Sequence, residues 1–176
     1  MSFAEKLDEP LLAELFSYWS ERCRGRKAPA RADIDPIDIP HLLPHLALTE
    51  IVPTDNPDGF RIRYRLAGTE IEERFGCSLT NRFFDDLVQG PFVDYITDLY
   101  RRLRTEMAPH YSESSFGAEI AEALRAKRLL LPLSDDQQNA NMVLVGVIFL
   151  DGNPHERKTV LGAHGDFTSG KPKNSG

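Results

Sequence analysis

Nine consecutive residues, Met142 to Leu150, carry no polar side chain, with Asn141 before them and Asp151-Gly152 after. The run is rich in β-branched residues and closed by turn formers at both ends, which predicts a strand. Strand side chains alternate, so Met142, Leu144, Ile148 and Leu150 share one face while Val143, Val145, Val147 and Phe149 share the other. Neither face can meet water. The strand therefore belongs in the middle of a sheet with a cover on each side, and the rest of the chain has to supply those two covers.

A chain of 176 residues suits one domain with appendages and is long enough to bury a core. An apolar fraction of 41% and a charged fraction of 27% are those of a soluble globular protein. The net charge of −6 argues against general nucleic-acid binding, although 21 Lys and Arg leave room for local patches. Cys23 and Cys77 lie far apart without a CxxC pattern, which fits a reducing compartment and small core residues. The N-terminus lacks an apolar signal segment, and the longest apolar run falls well short of the ~20 residues a membrane helix needs. A cytoplasmic protein with no membrane partner is expected.

Leu11, Leu12, Leu15, Phe16, Trp19 and Cys23 draw one apolar stripe on a helix from about Glu9 to Arg24, with Asp8 as cap, Pro10 in the first turn and Gly25 as stop. This is the first cover. Its main role is packing on its own sheet. Leu12, Leu15, Phe16 and Trp19 are also the candidates for contact with a second copy, a homodimer. Prolines 29, 36, 40 and 44 exclude a long helix from Arg26 to Pro44 and leave an ordered connector with a helical turn near Ile37 to Leu43. His41 and His45 are four apart, but Pro44 interrupts and no third ligand is near, so structural or surface roles are preferred and no metal is assigned.

Leu46 to Val52 reads as a strand. Beyond a turn, Phe60, Ile62, Tyr64 and Leu66 alternate with Arg61, Arg63 and Arg65, predicting a hairpin partner with one solvated arginine face. A short helix follows with Thr69 as N-cap and Gly76 as stop, then another over Leu79 to Val88 capped by Thr80 or Asn81. Gly90-Pro91 opens a longer helix to Ala108, with Phe92, Ile96, Leu99, Leu103 and Met107 as its stripe. At 1.5 Å per residue it runs about 25 Å, enough to cross a five-stranded sheet; it is the second cover. His110 to Phe116 and Leu124 to Ser134 are the remaining strands, with Gly117 to Ala123 as a loop or one helical turn. Asp135 to Asn139 turns the chain into the central strand, and a bulge or strand end is expected at Pro132. The organisation is a helical segment over residues 1–26, a core over 27–152, and a polar tail over 153–176 whose composition reads as disordered.

Helix, two strands, short helices, a long helix and three strands make an α+β domain with an antiparallel sheet, and this order resembles a PAS domain. The likeness is strongest to a PAS family found mainly in alphaproteobacteria. It is carried by Tyr18-Trp19, Gly25-Arg26 with Pro29 and Arg31, Asp33-Ile34-Asp35-Pro36, Ile39-Pro40 and Leu43-Pro44. It continues through Tyr64-Arg65-Leu66-Ala67-Gly68-Thr69, Phe75-Gly76, Leu79-Thr80 and Leu131-Pro132-Leu133-Ser134-Asp135. The likeness spans about Leu11 to Leu150 and rests on the ordered series, each motif being weak alone. That family carries a glycine soon after the position of Thr80 and another after the Asp pair; Asn81 and Gln137 stand there instead, which bears on turn geometry more than on fold. Gly117 to Ala123 reads as an insertion.

The resemblance implies a central five-stranded sheet, with short helices and the long helix on one face and the N-terminal helix on the other. It also implies a cavity between sheet and short helices. Tyr64, Leu66, Phe75, Phe83, Phe84, Leu87, Ile96, Tyr100 and Leu103 are the candidates to line it, although aromatic residues at such positions also serve as plain core. Related PAS domains hold haem through a histidine or flavin through a cysteine. The long helix has no histidine, His110 follows Pro109, and Cys77 sits in Phe-Gly-Cys-Ser-Leu, so both cofactors are disfavoured and the ligand is left unidentified. No catalytic fingerprint occurs, and the pairs Glu72-Glu73, Asp85-Asp86 and Asp135-Asp136 are placed for capping and solvation, so no catalytic residue is named.

The reading is a non-catalytic sensory or protein-interaction module of bacterial signal transduction. It would take a small apolar ligand, a partner protein, or both. No kinase, cyclase or DNA-binding segment is recognisable, so the expected output is to a separate signalling protein. Two alternatives stay open: a small enzyme using acid–base chemistry in the cavity, and a ligand-free structural adaptor.

Overall fold

The computed structural model describes residues 1–57, 59–114 and 125–150. The expectations for Phe116, for Gly117 to Ala123 and for the tail after 152 fall outside these residues. The elements are α1 (Pro10–Cys23), β1 (Leu46–Pro53), β2 (Phe60–Ala67), α2 (Thr69–Phe75), α3 (Phe84–Leu87), α4 (Pro91–Glu106), β3 (His110–Ser114), β4 (Ala126–Leu133) and β5 (Met142–Phe149). The strands form one antiparallel sheet in the order β2-β1-β5-β4-β3. The doubly apolar strand, β5, is therefore its centre.

Two cores flank β5 as its alternation demands. Val143, Val145, Val147 and Phe149 join Ile71, Phe75, Phe84, Ile96, Leu99 and Leu103 beneath α2, α3 and α4. Met142, Leu144 and Ile148 join Leu12, Leu15, Trp19, Ile34, Ile39 and Leu42 beneath α1 and the connector. Gly146 is where α1 comes closest: a Cβ there would meet Cδ2 of Leu12 and of Leu15 at 2.7 Å. The missing side chain lets the helix rest on the strand backbone.

Prolines shape the connector into three 3-10 turns, Arg31–Asp33, Pro36–Asp38 and Pro40–His45, where one helical turn was expected. Two motifs about a hundred residues apart meet here. Arg26 pairs with Asp33 at 2.6 Å, the Ser134 N–H donates to the Pro29 carbonyl at 2.9 Å, and the Arg31 N–H donates to Asp135 Oδ1 at 3.2 Å. Trp19 Nε1 donates to the carbonyl of Pro132 at 2.9 Å. Pro132 needs no bulge, since it pairs in register with Val143 and β3 ends at the His110–Leu130 pair, leaving β4 an edge from there on.

Several expected caps differ. The Asp8 carboxylate accepts from Lys127 Nζ at 2.7 Å and Tyr111 Oη at 2.5 Å, tying the chain before α1 to the sheet, and Glu9 takes the cap position without a side-chain bond. Arg24 (φ +48) ends α1 together with Gly25 (φ +81). Gly68, not Thr69, precedes α2, because a Cβ at Gly68 would lie 2.1 Å from the Leu43 carbonyl oxygen. The helix expected over Leu79 to Val88 shrinks to Phe84–Leu87. The cause is competition from the sheet: the Asn81 N–H donates to the Tyr64 carbonyl at 2.8 Å and the Tyr64 N–H to the Arg82 carbonyl at 2.9 Å. After Asn81, residues 82–83 thereby run along the edge of β2. The long helix stops at Glu106, closed by Met107 in the left-handed conformation (φ +50) and before Pro109 can act.

Candidate functional cavity

Between the sheet and α2 to α4 lies a cavity of about 70 Å³. The sheet contributes Thr49, Ile62, Tyr64, Arg128, Leu130, Val145, Val147 and Phe149; the helical layer contributes Ile71, Arg74, Phe75, Phe84, Phe92, Ile96 and Tyr100. Most of this wall is apolar, and its polar groups are few and fixed. Thr49 Oγ1 donates to the Val143 carbonyl at 3.2 Å, so it accepts from Tyr100 Oη, 2.8 Å away. One hydroxyl pair thus joins α4 to β1 and β5.

Two guanidinium groups reach the same cavity. Arg74 is 2% exposed and stacks over the Phe149 ring at 4.2 Å; Arg128 is 7% exposed and lies 5.8 Å from the Phe92 ring centre. Burial lowers the Arg128 guanidinium to about 10, opposed by the neighbouring Tyr64 and Tyr95, and it remains a cation at neutral pH. Burial also pushes the Tyr64 and Tyr100 phenols well above their usual range, so both stay protonated.

Of the nine residues expected here, Tyr64, Phe75, Phe84, Ile96 and Tyr100 line the cavity. Leu87 and Leu103 belong to the surrounding core without reaching the space. Leu66 points elsewhere. The register of β1 against β2 shifts between Leu48 and Thr49, pairing Leu48 with Leu66 and Thr49 with Tyr64, so Arg65 is the extra residue of a β-bulge. Past the bulge Leu66 faces the α1 side, where it lines a groove of about 450 Å³ with Leu48, Met142 and Leu144. Phe83 is held outside by Arg61, whose guanidinium stacks on its ring at 3.9 Å.

Arg61 pairs with Asp85 at 2.9 Å and Asp86 at 2.7 Å, and Arg63 with Glu50 at 2.6 Å, so the arginine face of β2 is matched by carboxylates and is less bare than expected. Among the helix residues considered for self-association, Leu12, Leu15 and Trp19 are buried against the chain's own sheet. Phe16, half-buried beside Phe3 and Trp19, keeps some surface. His41 Nε2 lies 2.9 Å from Glu14 Oε1.

Thr49, Arg74 and Arg128 went unforeseen, yet periodicity marks the two arginines. In α2, Ile71, Arg74 and Phe75 fall at i, i+3 and i+4, on one face. In β4, Ala126, Arg128 and Leu130 alternate with Leu129, Leu131 and Leu133, which places Arg128 on the cavity side. No histidine or cysteine is among the lining residues described, so these offer neither the histidine nor the cysteine through which related PAS domains hold haem or flavin.

An antiparallel five-stranded sheet, covered by helices on both faces and enclosing a small polar-tipped cavity, defines an α+β domain. A family model described as a PAS domain matches residues 7–149, and the chain belongs to that family. Among solved structures it is similar to the PAS domain from Bordetella pertussis BvgS, at 12% identity and a TM-score of 0.45, covering 70% of this chain and 92% of that one. No curated protein matches the chain significantly. No helix among the described residues is long and apolar enough to cross a membrane.

Proposed function

We infer that this chain is a sensory or protein-interaction module in signal transduction, in which occupancy of the cavity changes how α1 is held on the opposite face of the sheet. PAS domains are common sensory and interaction modules of signal transduction. One observation carries the coupling: Val145 and Val147 line the cavity, while Gly146 between them lies against Leu12 and Leu15 of α1. Close-packed interiors transmit small displacements, and a strand backbone shared by two layers is a short route between them. A ligand acts by favouring one of two placements of β5 and α1, a bias on an equilibrium with no bond made or broken.

Binding is better supported than acid–base chemistry. The ionisable groups lining the described cavity are two arginines and two phenols, and at neutral pH none is a proton acceptor of the kind a general base requires. The cavity itself favours a ligand-binding role over that of a solid-cored adaptor. Native mass spectrometry of the purified protein tests the reading, with extra mass that vanishes on denaturation as the expected result. A ligand-free spectrum together with no response to any added small molecule would overturn the sensory reading and leave partner interaction alone.

A further inference from the structure

We propose that the cavity takes a small neutral molecule with one hydrogen-bond-accepting oxygen, such as a short ketone, its oxygen at the Tyr64 hydroxyl and its apolar part against Val145 and Val147. The proposal rests on the ligand-binding reading of the same cavity.

The first observation is Tyr64. It is 8% exposed, its ring packs edge-on against Phe75, and its hydroxyl makes no hydrogen bond to any described residue. The groups that act electrostatically on its phenol, Tyr100 and Arg128, both stand on the cavity wall, which puts the hydroxyl at the cavity and not behind it. Burial keeps the phenol protonated, so it enters as a donor. A buried donor left unmatched is costly, and an acceptor atom inside the space relieves that cost.

The second observation is that the other polar groups described on the wall are engaged already. Tyr100 donates to Thr49, and Thr49 to the Val143 carbonyl. Arg74 and Arg128 are held by partners of their own, the Phe149 and Phe92 rings among them, and the proposed ligand does not call on either. One donor in want of a partner, on an otherwise apolar wall, matches a ligand with one acceptor. The same accounting sets the charge. A carboxylate would give up its hydration for a single phenol, which does not repay the cost, and a cation would be repelled by Arg128.

Volume sets the size. A cavity of about 150 Å³ holds benzene; one of about 70 Å³ suits a molecule of roughly three or four heavy atoms.

The test titrates methyl-labelled protein with acetone, with isobutene, which has the same shape without the acceptor, and with acetate. It follows the Val145 and Val147 methyl resonances and repeats each titration on Tyr64→Phe. The variant is expected to bind acetone about fivefold more weakly, the weight of one neutral hydrogen bond, and isobutene as tightly as before or more so. Acetate is expected to bind the unaltered protein about tenfold more weakly than acetone does. Tyr64→Phe keeps the ring, and its isobutene response reports an intact cavity; should the variant not fold, the comparison of acetone with acetate on the unaltered protein still decides the class. Equal changes for acetone and isobutene overturn the role of Tyr64 and leave a plain apolar cavity. Acetate binding as tight as acetone overturns the neutral class. Silence from all three probes while xenon shifts these methyls overturns the proposal alone and assigns the Tyr64 hydroxyl to a resident water; silence from xenon as well overturns the ligand-binding reading too.

Discussion

Tyr100 Oη and Thr49 Oγ1 lie 2.8 Å apart inside the core, and Thr49 Oγ1 in turn donates a hydrogen bond to the Val143 carbonyl. Through this pair the long helix is fastened to the two middle strands at the wall of the cavity. Tyr100→Phe is expected to cost about 1 kcal/mol, a normal net hydrogen bond. Thr49→Val should cost more, about 1–3 kcal/mol, because it strands the Tyr100 hydroxyl in the core. Urea denaturation of both variants and the double mutant checks this; additive effects would show that the two hydroxyls are not coupled.

Gly146 is the seat of α1. A valine there meets Leu12 and Leu15 at once, and overpacking of this kind costs about 1–3 kcal/mol. Hydrogen exchange of Gly146→Val should show the α1 amides losing protection while α4 keeps its own. Unchanged protection over Pro10–Cys23 would mean that the contact does not hold the helix.

Asn81 (φ +65) and Gln137 (φ +61) adopt the left-handed backbone that favours glycine. The two positions differ in what their side chains do. Asn81 is exposed, so Asn81→Gly should stabilise by roughly 0.5 kcal/mol. Gln137 Nε2 donates to the carbonyls of Ala28 at 3.0 Å and Ser134 at 2.9 Å, holding the connector to the β4–β5 turn. Gln137→Gly should therefore destabilise, and equal midpoint shifts for the two variants would refute this distinction.

Much of this architecture was readable because strong patterns coincide with regular elements. The two apolar faces of β5 called for two covers, and the stripes of α1 and α4 supplied them. Leu66 was misplaced because alternation assumes an unbroken ladder, and the bulge at Arg65 inverts every side chain beyond it. Phe83 was misplaced because an aromatic beside an arginine can satisfy its apolar surface on the outside. Arg74 and Arg128 were passed over because charge reads as solvent exposure, although helical and strand periodicity both set them inward. The β2 edge drew the backbone of residues 81–83 into pairing that local caps could not foretell.

His110 sets a pH dependence. Burial, and then the nearby charge of Arg102, lower its imidazole below the ordinary value of 6.5. The folded state therefore binds this proton less tightly than the unfolded chain. The stability it allows is present above about pH 6.5 and falls as pH drops through the depressed value. Denaturation midpoints should decline from pH 7.5 to 5.5, and His110→Asn should flatten that decline. Asp8, Asp33 and Asp136, whose carboxyls are held below 3.8 by hydrogen bonds, act in a lower window and do not confuse the result. An undiminished slope in His110→Asn would assign the dependence to other groups.

The central claim is that the cavity and α1 are read together through β5. Xenon under pressure, monitored by methyl resonances, tests it most directly because xenon fills apolar space without regard to ligand chemistry. The account predicts shifts at Val145 and Val147 on the cavity wall and, with the same concentration dependence, at Leu12 and Leu15 across the sheet. Shifts confined to the cavity wall, with Leu12 and Leu15 unmoved at saturation, would contradict it.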